Sequence, residues 1–277
     1  MAIKTITLVL FDTDEAEWAL PQAATLASAF DAHLSVLHPY NPMLFTGGIG
    51  AEPLIYSSIQ QWEEEDSEKI KAAVEKEVKS AGILGEYRPQ TTLYGAEAFL
   101  LSGARGADLV LVGTNGVLNR SPDDRNLIER IIRNLGRPVL VLTPKAALTG
   151  PLDRLTIGWS DTREATRAAH DALNLAKDGA EIELVTVVSR AQSTVPGIDG
   201  RADFATSLDR LGYRVTVTER SAAVEHRAET LISAAQEFGS KLLVTGAFGH
   251  SQLYDFVVGA VTRDLLEFAP LPVLMSK

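Results

Sequence analysis

The sequence predicts an α/β protein built twice, as two tandem doubly wound, five-stranded parallel sheets with helices on both faces. Three observations carry this. The chain repeats itself in three ordered blocks, its strand segments are apolar almost throughout, and these alternate with segments of helical period. Residues 6–12 (ITLVLFD) match 155–161 (LTIGWSD), and the match runs on into Asp-Thr-x-Glu-Ala in both copies. Residues 107–116 (ADLVLVGTNG) match 240–249 (SKLLVTGAFG), and RPVL at 137–140 matches LPVL at 271–274. The offsets are 149, 133 and 134 residues, so the first copy carries extra residues in its middle. The expected domains are 1–146 and 152–277, joined by a short linker around Gly150-Pro151.

The first copy opens with a strand, Thr5–Phe11, whose unbroken apolar run suits a strand buried on both faces. Asp12 to Asp14 offer an N-cap for a helix reaching Ala29. A strand at His33–His38 and a Pro- and Gly-rich loop, Pro39–Pro53, follow. Next comes a helix over Ile59–Lys79, with Ile70, Val74 and Val78 as its apolar stripe and Glu63–Asp66 as its solvated acidic start. A strand at Tyr87–Leu93, a short helix at Glu97–Arg105, a strand at Leu109–Gly113, a helix at Asn126–Leu135 and a strand at Pro138–Leu142 complete it. In the second copy, strands fall at Leu155–Trp159, Ile182–Val188, Tyr213–Thr218, Lys241–Gly246 and Pro272–Met275. Helices fall at Glu164–Lys177, Ala202–Leu211, Val224–Phe238 and Gln252–Phe268.

The bulk chemistry narrows function. Apolar residues are 45 % and charged residues 22 % of the 277, enough for two cores. A net charge of −10 repels a phosphate backbone, so nucleic acid is not an expected partner. With no cysteine, disulfides, thiolate catalysis and zinc–thiolate sites are excluded, and the composition fits a cytoplasmic protein. The opening MAIKTITLVLFD does not read as a secretory signal, and no apolar run is long enough to span a membrane. His33, His38, His170 and His226 show no metal-ligand spacing. A Walker-type loop, a dinucleotide fingerprint and a G-x-S-x-G elbow are all missing, so no catalytic machinery is expected beyond at most a very slow ATPase.

One motif carries ligand chemistry. Gly246-x-x-Gly249 follows a buried strand, and after nine residues comes Gly259-Ala260. Glycines let a backbone approach an anion closely, and the N–H groups of such a loop and of a helix start can cradle phosphate.

This arrangement resembles the universal stress protein family, and the resemblance covers nearly the whole chain as two domains. It implies a fold like that of the adenine nucleotide α hydrolases, Rossmann-like, with partners pairing through the fifth strand. That family's ATP-binding members carry Gly-x-x-Gly, nine residues, then Gly-Ser or Gly-Thr, and an acid after the first strand. By resemblance, Gly246, Gly249, Gly259 and Asp161 would contact an adenine nucleotide, ATP with Mg2+. Val188, His250, Ser251, Ala260 and Thr262 would lie around it. Asp161 follows Ser160, one place later than relatives often have their acid, and both Asp12 and Asp161 could equally be helix N-caps. Ala260 stands where a phosphate-binding hydroxyl is expected, and a lost bond to a charged group is worth about 1.5–3 kcal/mol. Ser251 or Thr262 could supply a hydroxyl instead. The first copy keeps Asp12, Gly113 and Gly116 but has Arg125-Asn126 at the Gly-Ser position, with Asp123 and Asp124 beside it to repel phosphate, and reads as a degenerate site. The two copies are expected to form an internal pseudo-dimer through their Pro-Val strands, with homodimerisation also open. The alternative function is a nucleotide-free scaffold for an unknown protein partner.

Overall fold

The computed structural model describes residues 2–39, 53–90, 95–114, 121–188, 200–249 and 260–277. The first half contains β1 (Thr5–Val9), α1 (Thr13–Phe30), β2 (His33–His38), α2 (Pro53–Ala81), β3 (Gly85–Pro89), α3 (Ala96–Ala104), β4 (Leu109–Gly113), α4 (Pro122–Asn134) and β5 (Val139–Leu142). The second contains β6 (Leu152–Gly158), α5 (Arg163–Ala172), β7 (Ala176–Val188), α6 (Gly200–Arg210), β8 (Arg214–Ser221), α7 (Arg227–Phe238), β9 (Leu243–Gly246), α8 (Ala260–Phe268) and β10 (Val273–Ser276).

The strands form one sheet in the order β3-β2-β1-β4-β5-β10-β9-β6-β7-β8. Within each half every pairing is parallel. The halves join where β5 and β10 pair antiparallel, Leu140 facing Leu274, with Val139–Met275 and Val141–Val273 on either side. Leu140 and Leu274 are equivalent positions of the repeat, so a pseudo-twofold axis passes between them. The expected pairing of the Pro-Val strands is thus present, and it fuses the two predicted sheets into one of ten strands.

Alternation along the strands sends side chains to two core layers. Leu109 and Leu111 join the layer under α1, α2, α5 and α6; Val110 and Val112 join the layer under α3, α4, α7 and α8. Each layer crosses the seam: Leu140 and Leu274 lie in the first, Val141, Val273 and Met275 in the second.

Several boundaries differ from the sequence reading for local reasons. Helix α2 starts at Pro53, a residue suited to a first helical turn, so Glu63–Asp66 lie inside the helix and not at its start. Helix α4 starts at Pro122, with Ser121 as N-cap accepting from the Asp124 N–H at 3.1 Å. Asp123 and Asp124 are therefore first-turn helix residues, not loop residues. Helix α5 ends at Ala172, because the Leu173–Leu175 turn leads directly into β7 and Gly179 adopts φ +71°. Strand β3 spans Gly85–Pro89, and residues 91–93 of its predicted range lie outside the described residues.

Leu274 is fully buried at the centre of the seam. Leu274→Ala should cost about 2–5 kcal/mol. Urea denaturation should show one lowered transition for both halves; a drop confined to the second half would contradict the shared core.

Candidate functional site

In each half the strand order reverses, between β1 and β4 and between β6 and β9, the place where open α/β sheets bind ligands at the carboxyl ends of their strands. In the second half, Gly246 ends β9 against the first turn of α5. A Cβ on Gly246 would stand 2.5 Å from the Ala165 nitrogen and 2.6 Å from the Glu164 carbonyl carbon. Both are backbone atoms, so only glycine fits. A Cβ on Gly249 would meet only side chains, Glu164 Oε2 at 3.3 Å and Thr162 Oγ1 at 3.7 Å. The Gly246–Gly249 loop therefore lies over the N-terminus of α5. Between the glycines, Phe248 adopts φ +51° and is buried. For a non-glycine residue this conformation costs about 1–2 kcal/mol. It is held by three contacts: the Phe248 N–H donates to Thr262 Oγ1 at 3.2 Å, Lys277 Nζ donates to the Phe248 carbonyl at 3.4 Å, and the Arg133 guanidinium lies 3.4 Å above the ring centroid.

Other predicted residues are placed as follows. Asp161 is exposed and accepts from Trp159 Nε1 at 3.1 Å; the α5 N-cap is Thr162, whose hydroxyl accepts from the Ala165 N–H at 3.2 Å. Asp161 is thus not a helix cap, whereas Asp12 is one, accepting from the Glu15 N–H at 2.7 Å. The difference follows from a one-residue shift: α1 starts at Thr13, its counterpart α5 at Arg163. Asp161 also faces the start of α6, where a Cβ on Gly200 would stand 2.5 Å from its Oδ1. Trp159 stacks on Phe204 of α6 with ring centroids 4.5 Å apart. Val188 ends β7, beside Ser221, and its carbonyl accepts from the Ala222 N–H. Ala260 opens α8. Thr262 is buried, and its hydroxyl braces the loop from within by accepting the Phe248 N–H. His250, Ser251, Gly259 and Gly116 lie outside the described residues.

Glu164 brings a buried carboxylate to this loop. Burial raises its pKa, but hydrogen bonds from its own backbone and from Arg163, with the charges of Arg163 and Lys277, outweigh this and hold the carboxyl below its usual range. The residue was visible in the repeated Asp-Thr-x-Glu-Ala but carried no assigned role. Its first-half counterpart, Glu15, is fully buried and accepts from the Phe11 N–H at 2.9 Å.

In the first half, Gly113 ends β4 beside Leu142. The Thr114 hydroxyl crosses the seam to donate to the Leu266 carbonyl of α8 at 2.8 Å. A cleft of about 580 Å3 opens between the starts of α3 and α4, lined by Pro39, Gly95, Glu97, Leu101, Asp123 and Arg130 among others. Glu97 accepts from Arg130 at 3.3 Å and from Asn134 at 3.1 Å. At the end of β2, buried His38 Nδ1 meets the Tyr87 hydroxyl at 2.8 Å, which meets Ser67 Oγ at 2.9 Å. Desolvation lowers the pKa of His38, opposed by a hydrogen bond to the Phe11 backbone and by the charges of Asp66 and Asp12. Among the described residues no group of three or more His, Asp or Glu is placed to hold a metal ion.

Residues 152–277 match the sequence profile of the Universal stress protein family. The second half of the chain, residues 152–277, carries a domain of that family. A universal stress protein of Synechocystis is 22 % identical over 294 residues, covering 98 % of this chain and 99 % of that one. The solved structure of a universal stress protein from Archaeoglobus fulgidus superposes with a TM-score of 0.68 at 16 % identity, over 99 % of this chain and 96 % of its own. A putative universal stress protein from Pseudomonas aeruginosa gives 0.55 at 17 % identity, over 100 % and 94 %. The likeness to the solved family members extends over both halves, including the first, which lies outside the profile match.

Two outcomes follow from this geometry. Gly246→Ala should lose about 1–3 kcal/mol in a denaturant titration, because backbone must move to admit the methyl, whereas Gly249→Val should leave stability near wild type. For His38, a folded-state pKa below the unfolded value of 6.5 means the unfolded chain takes up the proton first. Stability should be full above that pH and decline as the pH falls through 6.5. His38→Gln should flatten this decline in melting temperature against pH; an unchanged profile would remove His38 as its cause.

Proposed function

We propose that this protein binds an adenine nucleotide, ATP with Mg2+ or a close relative, at the carboxyl ends of β6 and β9, as a regulatory ligand in a cytoplasmic stress response. The observation that supports this most is the loop Gly246–Gly249, laid over the start of α5 at the point where strand order reverses. A side chain on Gly249 would enter the space above the loop without meeting backbone. That cradle fits a phosphate group, with loop and helix N–H groups as donors. In this reading Asp161, near the exit of β6, would meet a ribose hydroxyl, and Val188 would border the base. Lys277 and Arg163 offset the charge of Glu164 that a phosphate would otherwise face. The boundaries 1–146 and 152–277 are the natural units of this reading, with the second unit carrying the ligand.

Specific observations favour a second reading, a nucleotide-free scaffold for a protein partner. Ala260 supplies no hydroxyl, the Thr262 hydroxyl is engaged by Phe248, and Glu164 places a carboxylate beside Gly249.

One preparation separates the two. Protein purified without added nucleotide is denatured, and the supernatant is resolved by ion exchange, with Gly249→Val alongside. About one equivalent of ATP or ADP per chain, lost in the variant, is the expected result for a single tight site. No retained nucleotide, and no binding on titration with millimolar MgATP, would overturn the reading in favour of the scaffold.

A further inference from the structure

Helices α4 and α8 face each other across the seam, and their contacts are unequal. Arg263 of α8 binds Glu129 of α4 through Nε at 2.9 Å and Nη2 at 3.4 Å, and Arg125 of α4 reaches Glu267 of α8 at 3.3 Å. Arg133, one turn beyond Glu129, also reaches the Glu129 Oε2, at 3.8 Å through Nη2. Its guanidinium covers the ring of Phe248, in the glycine loop of the other half. Phe248 and Asp31 are the described non-glycine residues with positive φ, and Asp31 closes the C-terminus of α1. Phe248 has no such helix-end role and lies inside the loop, with its N–H, its carbonyl and its ring each held. A guanidinium stacked on an aromatic face is attracted by the ring's quadrupole, and more strongly where water is excluded. The position equivalent to Arg133 in the repeat is Glu267, which cannot make this contact and instead binds Arg125. The clamp therefore serves one loop, the one that keeps Gly-x-x-Gly with its downstream glycine.

We propose that Arg133 is a positioning residue for the second-half nucleotide loop: the first half clamps Phe248 and so holds the Gly246–Gly249 N–H groups ready for an anion. This rests on the nucleotide reading above. It assigns the first half a part in the second half's site, independent of any ligand of its own.

The test uses the full chain with Arg133→Met, which keeps the side chain's apolar length and removes the cation, and Arg133→Lys, which keeps the charge and loses the planar stack. Arg263→Gln is the control, since it breaks the seam pair to Glu129, the carboxylate that Arg133 also reaches, and removes no contact of Phe248. Two readouts are taken: amide-resolved hydrogen exchange at Phe248 and Gly249, and affinity for a fluorescent MgATP analogue. Arg133→Met should speed exchange at both amides about tenfold and weaken the analogue by a similar factor, as expected for loss of a part-buried cation–π contact. Arg133→Lys should lie between, and Arg263→Gln should match wild type in both. Unchanged exchange in Arg133→Met overturns the clamp, as does an equal effect of Arg263→Gln, which would make the seam the cause. If Arg133→Met does not fold, wild-type exchange and affinity in Arg133→Lys overturn it equally. If wild type binds no analogue, the nucleotide reading fails, and exchange at Phe248 alone decides the clamp.

Discussion

Two backbones run past each other in opposite directions at Leu140 and Leu274, and their hydrogen bonds bury the two edges that a pair of five-stranded sheets would otherwise expose. This short ladder sets the architecture. It aligns the sheets so that both core layers run across the join, and it brings α4 and α8 together above it. The remaining edges are β3, which ends in Pro89, and β8, which carries Arg214, Glu219 and Arg220; proline and charge both discourage further strand pairing. The pairing explains why the glycine loop of one half touches the last helix of the other.

The candidate site shows two physical requirements meeting at one loop. Gly246 is needed by packing alone, because β9 ends in contact with the α5 backbone. Gly249 is not needed in that way, and its retention is the stronger pointer to a ligand. Around these glycines the charges nearly balance: Glu164 is offset by Arg163 and Lys277. On the nucleotide reading, a phosphate at this loop would depend on such neighbours beside the carboxylate, and their removal would turn the same backbone against it.

Much of the fold was legible because its signals are periodic and repeated. The apolar runs at Leu109–Gly113 and His33–His38 gave strands with the observed ends, and three matched blocks gave the pseudo-symmetry. What escaped reading was chemistry that depends on distant chain segments. Ser121-Pro122-Asp123-Asp124 has the composition of a helix start, yet the helix is expected only from Asn126, because Asp123 and Asp124 are compared with a glycine-loop site. Asp12 and Asp161 look alike in sequence, and only the one-residue shift of the second helix separates a cap from a partner of Trp159. Arg133, 115 positions before Phe248, had no local pattern to announce it, since cross-seam contacts leave no periodicity in the chain. Thr262 was read as a spare hydroxyl and is a buried brace for the same reason.

Glu129 and Arg263 are the same position in the two repeats, and they meet. In an assembly of two identical subunits that position would face itself, acid against acid or base against base. Joining the copies in one polypeptide lifts that restriction, because each side of the axis can then mutate separately. Opposite charges at the seam label the halves: the left belongs with the right, and two rights repel. The covalent link thus does more than keep the halves together. It allows the contact between them to become one that neither half could make with its own twin.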